Sequence, residues 1–322
     1  MAVPAKDAPR LLVVRRDNIG DLACTTPLIA GLRARWPRAR LAALVTTYNA
    51  EVLARNPALD AVFIYEKLKH RREGLWSYVR SRLAQERQLR SESWDAVLVP
   101  APGPQAMKLA HGLRPGQVLA SPTTFPKGRH EVERVYDLGR ALGLSGNPGP
   151  MQVFPDPARV RSLGETVGEG PFVAVHMSAR RPAQQWPLER YAALCTALAG
   201  AGRVLLLWAP GAKEDPRHPG DDAAAEEVLR RARSASVVPL PTPDLTTLVA
   251  GLSLASLVVC PDGGAMHLAA ALGKPVVALF GDSPVERWRP WGVRYRVVRP
   301  DSRDLADLPL APVLEAAMAL RA

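Results

Sequence analysis

Short apolar runs alternate with helical periodicity along almost the whole chain, and that alternation limits the fold more than any other feature. Residues 11–14, 41–45, 61–64 and 96–99 are apolar stretches too short for helices, and helical patterns such as 27–35 lie between them. Strands buried on both faces have this uninterrupted apolar character, and parallel neighbours need a crossover helix to connect them. The pattern returns at residues 172–176, 204–208, 237–239, 257–260, 276–280 and 295–298. Two doubly wound parallel sheets are therefore expected, an α/β chain whose ligands bind at the loops following the strands, in the crevice between the two halves.

A chain of 322 residues with 47% hydrophobic content has enough apolar material for two cores of ordinary size. The helical pattern "HEVERVYDLGRALGL" is expected to end near Gly143, and the linker is placed in the Gly- and Pro-rich "SGNPGPMQVFPDPARV" that follows. Domains at 1–150 and 151–322 result, with the last helix expected to pack back on the first domain. No run of eighteen apolar residues occurs, and "MAVPAKDAPR" has no apolar signal core, so a soluble, cytoplasmic protein is expected. Cys24, Cys195 and Cys260 are far apart and read as small buried side chains rather than a disulfide framework or zinc site.

The net charge of +11 calls for an anionic partner. Eight Lys or Arg fall within residues 66–94, Lys69 and Arg71 among them, and Leu75, Trp76, Val79 and Leu83 are spaced as one helical face. Either a solvated helix packs that face on its own domain, or the basic face grips an acidic acceptor or membrane surface; both hold if the polar side does the gripping. Nucleic acid is not expected as a partner, because no helix-turn-helix, RRM or KH pattern accompanies the charge.

Candidate chemistry lies in the loops after strands. "RRDNIGDLACTTPLI" places Asn18, Gly20 and Asp21 where a helix begins, and Asp21 is either an N-cap or an exposed base. In "FVAVHMSARRPAQQWPLERYAAL", Ser178, Arg180, Arg181 and Gln184 sit between strand and helix, as diphosphate contacts or as a solvated loop. In "LLLWAPGAKEDPRHPGDDAAAEEV", Asp222 either caps a helix or reaches a ribose. "PDGGAMHLAAALGKPVVALFG" brings Asp262, Gly263, Gly264 and His267 to a strand-to-helix turn. Glycines there let a phosphate approach the backbone, although a capping aspartate and a packed core histidine explain the same letters.

Taken together, "RRDNIGDLACTTPLI", "QQWPLERYAAL", "PDGGAMHLAAALGKPVVALFG" and "SPVERWRPWG", in that order from residue 11 to about residue 299, resemble glycosyltransferase family 9, the ADP-heptose:lipopolysaccharide heptosyltransferases. The resemblance implies a GT-B fold, two Rossmann-like doubly wound domains facing a central cleft, with acceptor held mainly by the first and nucleotide sugar by the second. It implies inverting transfer of heptose or a related sugar from a donor such as ADP-heptose to a lipopolysaccharide core or related glycan. By the same resemblance Asp21 is the general base. Ser178, Arg180, Arg181, Gln184, Asp222, Asp262, Gly263, Gly264 and His267 form the donor site, and Asn18, Gly20, Lys69, Arg71 and His130 serve the acceptor.

No cofactor and no metal are expected; helix amides and basic side chains would take a metal's place at the leaving diphosphate. An acidic glycolipid acceptor implies peripheral attachment to the inner face of the inner membrane. One departure stands out: many family members carry Lys-Arg or Lys-His before the Trp-Pro pair, and this chain has Gln184 and Gln185. A neutral amide offers phosphate no charge, so Arg180 or Arg181 would have to substitute, or the chain is a catalytically impaired sugar-nucleotide or glycan-binding homologue. A nicotinamide-dependent oxidoreductase is disfavoured, because the first strand is not followed by G-x-G-x-x-G.

Overall fold

A computed structural model describes residues 7–65, 80, 84, 86–124, 126–215 and 219–321. The chain forms two compact units, Met1–Phe154 and Pro155–Ala322, and the division lies inside the Gly- and Pro-rich stretch.

The first unit is built on a five-stranded parallel sheet of order β3-β2-β1-β4-β5. Its strands are β1 (Arg10–Val14), β2 (Arg40–Thr46), β3 (Ala61–Tyr65), β4 (Ala96–Val99) and β5 (Gln117–Ala120). Leu12, Val14, Ala42, Leu44, Val97 and Val99 fill the core on one face with Phe63 and Trp94, whose rings meet edge to face at 6.4 Å. The helices relevant to the site are α1 (Ile19–Ala23), α2 (Thr26–Arg35), α3 (Pro104–Gly112) and α4 (Glu131–Arg140). Pro27 sits in the first turn of α2, where its missing N–H costs nothing.

Strand β5 went unread in the sequence, and its position explains why. It is an edge strand with every side chain at least partly exposed, so it lacks the continuous apolar run that marks its buried neighbours.

The second unit carries a six-stranded parallel sheet of order β11-β10-β9-β6-β7-β8. Its strands are β6 (Phe172–His176), β7 (Arg203–Trp208), β8 (Val237–Pro241), β9 (Ala255–Pro261), β10 (Val276–Leu279) and β11 (Tyr295–Val298). The strand order reverses between β6 and β9, the position where open parallel sheets bind ligands. Helices α5 (Pro157–Val167), α6 (Leu188–Ala199), α7 (Asp222–Ala232), α8 (Leu245–Ser253) and α9 (Gly264–Ala271) flank it, with the short α10 (Val285–Trp288) and the closing α11 (Leu310–Arg321). Within this unit α11 packs on α6 and on β9, β10 and β11, burying Val313, Ala317 and Leu320. Pro239 and Pro241 lie in β8, tolerated because that strand is at an edge.

Among the described residues no helix is long and apolar enough to cross a membrane.

Candidate active site

In the first unit Asp17, Asp21 and Glu131 gather around the buried Arg15. The chain leaves β1 at Val14, and the next side chain, Arg15, is only 1% exposed. Its Nε donates to Asp17 Oδ1 at 2.8 Å, and its Nη2 donates to Asp21 Oδ1 at 2.7 Å and to Glu131 Oε1 at 3.0 Å. Glu131 at the start of α4 is fully buried and accepts from Arg134 Nε at 2.8 Å and from Arg134 Nη2. Arg134 Nη1 is anchored on the Pro100 carbonyl at 2.9 Å. Ionised, this group holds one more carboxylate than guanidinium, and buried ions persist only when so paired and hydrogen-bonded.

Electrostatics separate the three acids. Burial pushes the Asp17 carboxyl above its ordinary range, with Arg15 opposing and the Asp21 charge adding to the rise. Burial also opposes ionisation of Glu131, but hydrogen bonding and charge from Arg134 and Arg15 outweigh it and hold that carboxyl low. Glu131 is thus held as an anion, and Asp17 is a weaker acid than a free aspartate while paired with Arg15.

Asp21 does not cap its helix. Asn18 occupies the N-cap of α1, and Asp21 is the third helical residue. Both carboxylate oxygens are held, Oδ1 by Arg15 and Oδ2 by Asn18 Nδ2 at 2.9 Å. Each oxygen keeps a lone pair, and the side chain is 14% exposed, so a hydroxyl can reach it. Gly20 is buried within α1. His130 is 1% exposed and caps α4: its Nδ1 accepts from Val132 N at 3.1 Å while Glu133 Oε2 accepts from its backbone N–H at 2.9 Å. Lys69 and Arg71 lie outside the described residues, as does most of the basic 66–94 segment. Burial raises the Cys24 thiol well above its usual value, so it is not a poised nucleophile.

In the second unit the loops after β6, β9 and β10 meet on a polar knot. Gln184 is 2% exposed; its Nε2 donates to Ser283 Oγ at 2.8 Å and, more weakly, to Asp262 Oδ2 at 3.4 Å, while its Oε1 accepts from Gly281 N at 3.2 Å. Arg181 donates to Ser283 Oγ at 3.1 Å and pairs with Asp282. Burial raises the Asp262 carboxyl, with Ser283 and Arg181 opposing. A Cβ on Gly281 would fall 2.1 Å from the Ala183 carbonyl, so only glycine lets the β10 loop lie against the β6 loop. Gln184 therefore acts as a buried strut between loops, with Arg180 and Arg181 exposed on the same loop.

Asp262 leads into an open turn. Gly263 is exposed, occupies the N-cap of α9 without a side-chain cap bond, and a Cβ there would meet nothing within 4 Å. Its φ of 162° is extended backbone open to any residue. Neither packing nor backbone strain accounts for glycine at this position. Gly264 opens the helix, and His267 packs inside, 3% exposed, its ring edge-on to Trp288 at 5.9 Å. Ser178 Oγ accepts from Ala209 N at 2.9 Å, and Asp222 accepts from Trp208 Nε1 at 2.7 Å and Gly211 N at 2.9 Å. Both therefore hold the loop after β7, and Asp222 does so as the first residue of α7 rather than as its cap. Beside that loop is a cavity of about 750 Å³ lined by Met177, Trp186, Tyr191, Gly211, Lys213 and Asp222.

Arg15, Asp282, Ser283 and His176 were not singled out from sequence; Glu131 and Arg134 were weighed there with His130, as cleft-lining residues or as part of a plain surface helix, and the structure buries both. His176 ends β6, and burial lowers its pKa to about 4, so it is neutral in the folded chain at pH 7. An unfolded histidine titrates near 6.5, so between those values the unfolded state binds the extra proton and stability falls as pH drops. Unfolding of the second unit is expected to become easier by up to about 3 kcal/mol from pH 7 to pH 4 through this group. A His176→Gln variant should remove that slope in urea titrations; an identical slope in both proteins would refute it. Among the described residues no group of three or more His, Cys, Asp or Glu is placed to hold a metal ion.

The family model "Glycosyltransferase family 9 (heptosyltransferase)" matches residues 110–309, which include the Gln184–Asp262–Ser283 knot. Lipopolysaccharide heptosyltransferase 1 of Escherichia coli K12 is 26% identical over 331 residues, covering 95% of this chain and 98% of that protein. A family 9 glycosyl transferase structure from Veillonella parvula superposes with a TM-score of 0.84 at 17% identity, covering 98% of this chain and 99% of that one. The E. coli heptosyltransferase WaaC with ADP-2-deoxy-2-fluoro heptose gives 0.72 at 22% identity, over 97% and 100% of the two chains. The fold is that of the GT-B glycosyltransferases. With the family model covering well over half of its length, the chain belongs to glycosyltransferase family 9, and its chemistry is glycosyl transfer of the heptosyltransferase kind.

Proposed function

We propose that this protein transfers a heptose from a nucleoside diphosphate donor, ADP-heptose, to the acidic inner core of lipopolysaccharide, with inversion and without a metal. The observation that carries the reading is Asp21, a carboxylate fixed through both oxygens yet reachable from outside. An acceptor hydroxyl becomes nucleophilic as a carboxylate takes its proton. Direct attack on the anomeric carbon, with the diphosphate leaving from the opposite side, inverts that centre. Gly263 supports the donor side: its bare Cα keeps the approach to the α9 amides clear, as a diphosphate oxygen requires. The 750 Å³ cavity has room for a nucleoside, and Arg180, exposed on the same loop, supplies the charge that Gln184 does not, Arg181 being paired with Asp282.

Relatives support the choice of sugar and acceptor, one named as a lipopolysaccharide heptosyltransferase and one structure holding a fluorinated ADP-heptose. The +11 charge fits an acceptor carried on an anionic membrane surface.

The test is nucleotide release from a panel of nucleotide sugars, with truncated lipopolysaccharide presented in anionic vesicles at low and high salt. Acceptor-dependent ADP release, favouring ADP-heptose and falling with salt, is expected. Gly263→Ala should keep the wild-type melting temperature and weaken donor binding by about tenfold or more, since its methyl group blocks the phosphate's approach. Release from a different donor would change the substrate, salt-insensitive release would remove the membrane surface, and unaltered donor affinity in Gly263→Ala would move the diphosphate elsewhere. Donor binding without transfer to any acceptor would instead favour the impaired binding homologue.

A further inference from the structure

We propose that Arg15 is a positioning residue for the acid–base step: through one fork it fixes the orientation of Asp21, and it is itself locked by Glu131 and Arg134. The proposal rests on the reading of Asp21 as the base.

Three observations carry it. Arg15 is almost wholly buried, a costly place for a cation unless its location matters. Its donors diverge to carboxylates from two separate parts of the unit, the β1–α1 segment and α4, which ties the approach of Asp21 to the fold. The anchor behind it is complete, because Glu131 is held by both Arg15 and Arg134, and Arg134 is held by Pro100. Among the described residues Nη1 of Arg15 is buried without a hydrogen-bond partner, so the fork is aimed by its acids.

Charge balance gives the network its chemical use. With all groups ionised there is one carboxylate in excess, so a proton moving from the acceptor hydroxyl to Asp21 brings the cluster to neutrality. The O–H bond breaks, its electron pair becomes the new C–O bond at the anomeric carbon, and the sugar–phosphate bond's pair leaves on the diphosphate. The guanidinium remains charged throughout, since no neighbouring group is basic enough to deprotonate it. Other ionisable groups on the elements around Asp21 are Asp17, Cys24, His130 and Glu51 on the turn packed against α1, besides Glu131 and Arg134. Asp17 shares Arg15 with Asp21, through Nε at 2.8 Å.

The experiment measures kcat and KM for wild type, Arg15→Lys and the pair Arg15→Met with Glu131→Gln. The pair removes one cation and one anion, which keeps the cluster's charge and protects the fold. Lysine keeps the charge without the fork, so kcat should drop about tenfold to a hundredfold with donor KM unchanged. In the pair kcat should fall by a similar factor with donor KM unchanged, because the carboxylate has lost the donor that aims it. A structural role alone would alter melting and leave kcat per folded molecule unchanged. A wild-type kcat in Arg15→Lys, or a wild-type kcat in a folded pair that binds donor, overturns the proposal. Asp21→Asn is run beside them. If it retains transfer, the base assignment itself has failed; if it abolishes transfer while the Arg15 variants behave as wild type, only the positioning role has.

Discussion

Asp21→Asn is expected to lower sugar transfer by about 10²–10⁴-fold while donor binding and melting temperature stay near wild type. Asparagine keeps the size of the side chain and its carbonyl can still accept from Arg15, but it takes no proton at working pH. The loss should therefore appear in kcat and not in donor KM. Steady-state ADP release with saturating acceptor, compared with direct donor binding by calorimetry, checks it. A variant within a factor of three of wild type would show that the proton leaves by another route, and a variant that loses donor binding would show that Asp21 serves the nucleotide.

The second large effect concerns stability. Glu131→Ala should destabilise the first unit by about 3–5 kcal/mol, because it leaves Arg134 buried without the carboxylate that holds two of its nitrogens. Arg15 suffers less, since Asp17 and Asp21 remain on it. Urea unfolding should show the transition of the first unit shifting to lower denaturant while that of the second stays in place. A change below about 1 kcal/mol would mean that water or a rearranged neighbour satisfies Arg134.

Both outcomes concern residues that the sequence exposes to different degrees. The strands were legible because parallel sheets bury both faces, which turns residues such as 11–14 and 276–279 into uninterrupted apolar runs. The loops carrying chemistry were legible because they follow those runs: Asp21 after β1, Gln184 after β6, Asp262 after β9. What could not be read was long-range pairing. Arg15 and Glu131 are 116 residues apart, and Gln184 and Ser283 are 99 apart. Neither pair has a spacing that signals contact, and only the strand order brings them together. Arg15 in particular is one of two adjacent arginines following a strand, and nothing in the sequence tells which is buried: Arg15 is, while Arg16 is half-exposed and lies over the Tyr65 ring at 4.1 Å. The capping alternatives failed for a local reason: Thr25, at the head of the helix holding Pro27, and Gly263 occupy the N-cap positions that Asp21 and Asp262 were weighed for, and Asp21 lies inside the separate short helix α1. Gln184 looked like a defect in a phosphate site, and its burial recasts it as a loop strut whose charge-free amide is suited to bonding Ser283, Asp262 and Gly281 together.

The two prolines of β8 bear on how this chain behaves when crowded. In a parallel strand alternate residues face the neighbour, and the bonds to β7 come from the even-numbered residues: Ser236 O accepts from Val204 N at 2.9 Å and Thr242 N donates to Trp208 O at 2.9 Å, which leaves Val237, Pro239 and Pro241 on the other side. Those three turn their backbone outward. Pro239 and Pro241 have no N–H to give, and the N–H of Val237 is already bonded to Ser234 O at 3.1 Å. A strand arriving from another molecule would find carbonyls along this side of the sheet and not one donor, so it could not zip on. The second unit thus has an edge closed to intermolecular pairing by covalent structure, a safeguard that neither salt nor protonation can remove.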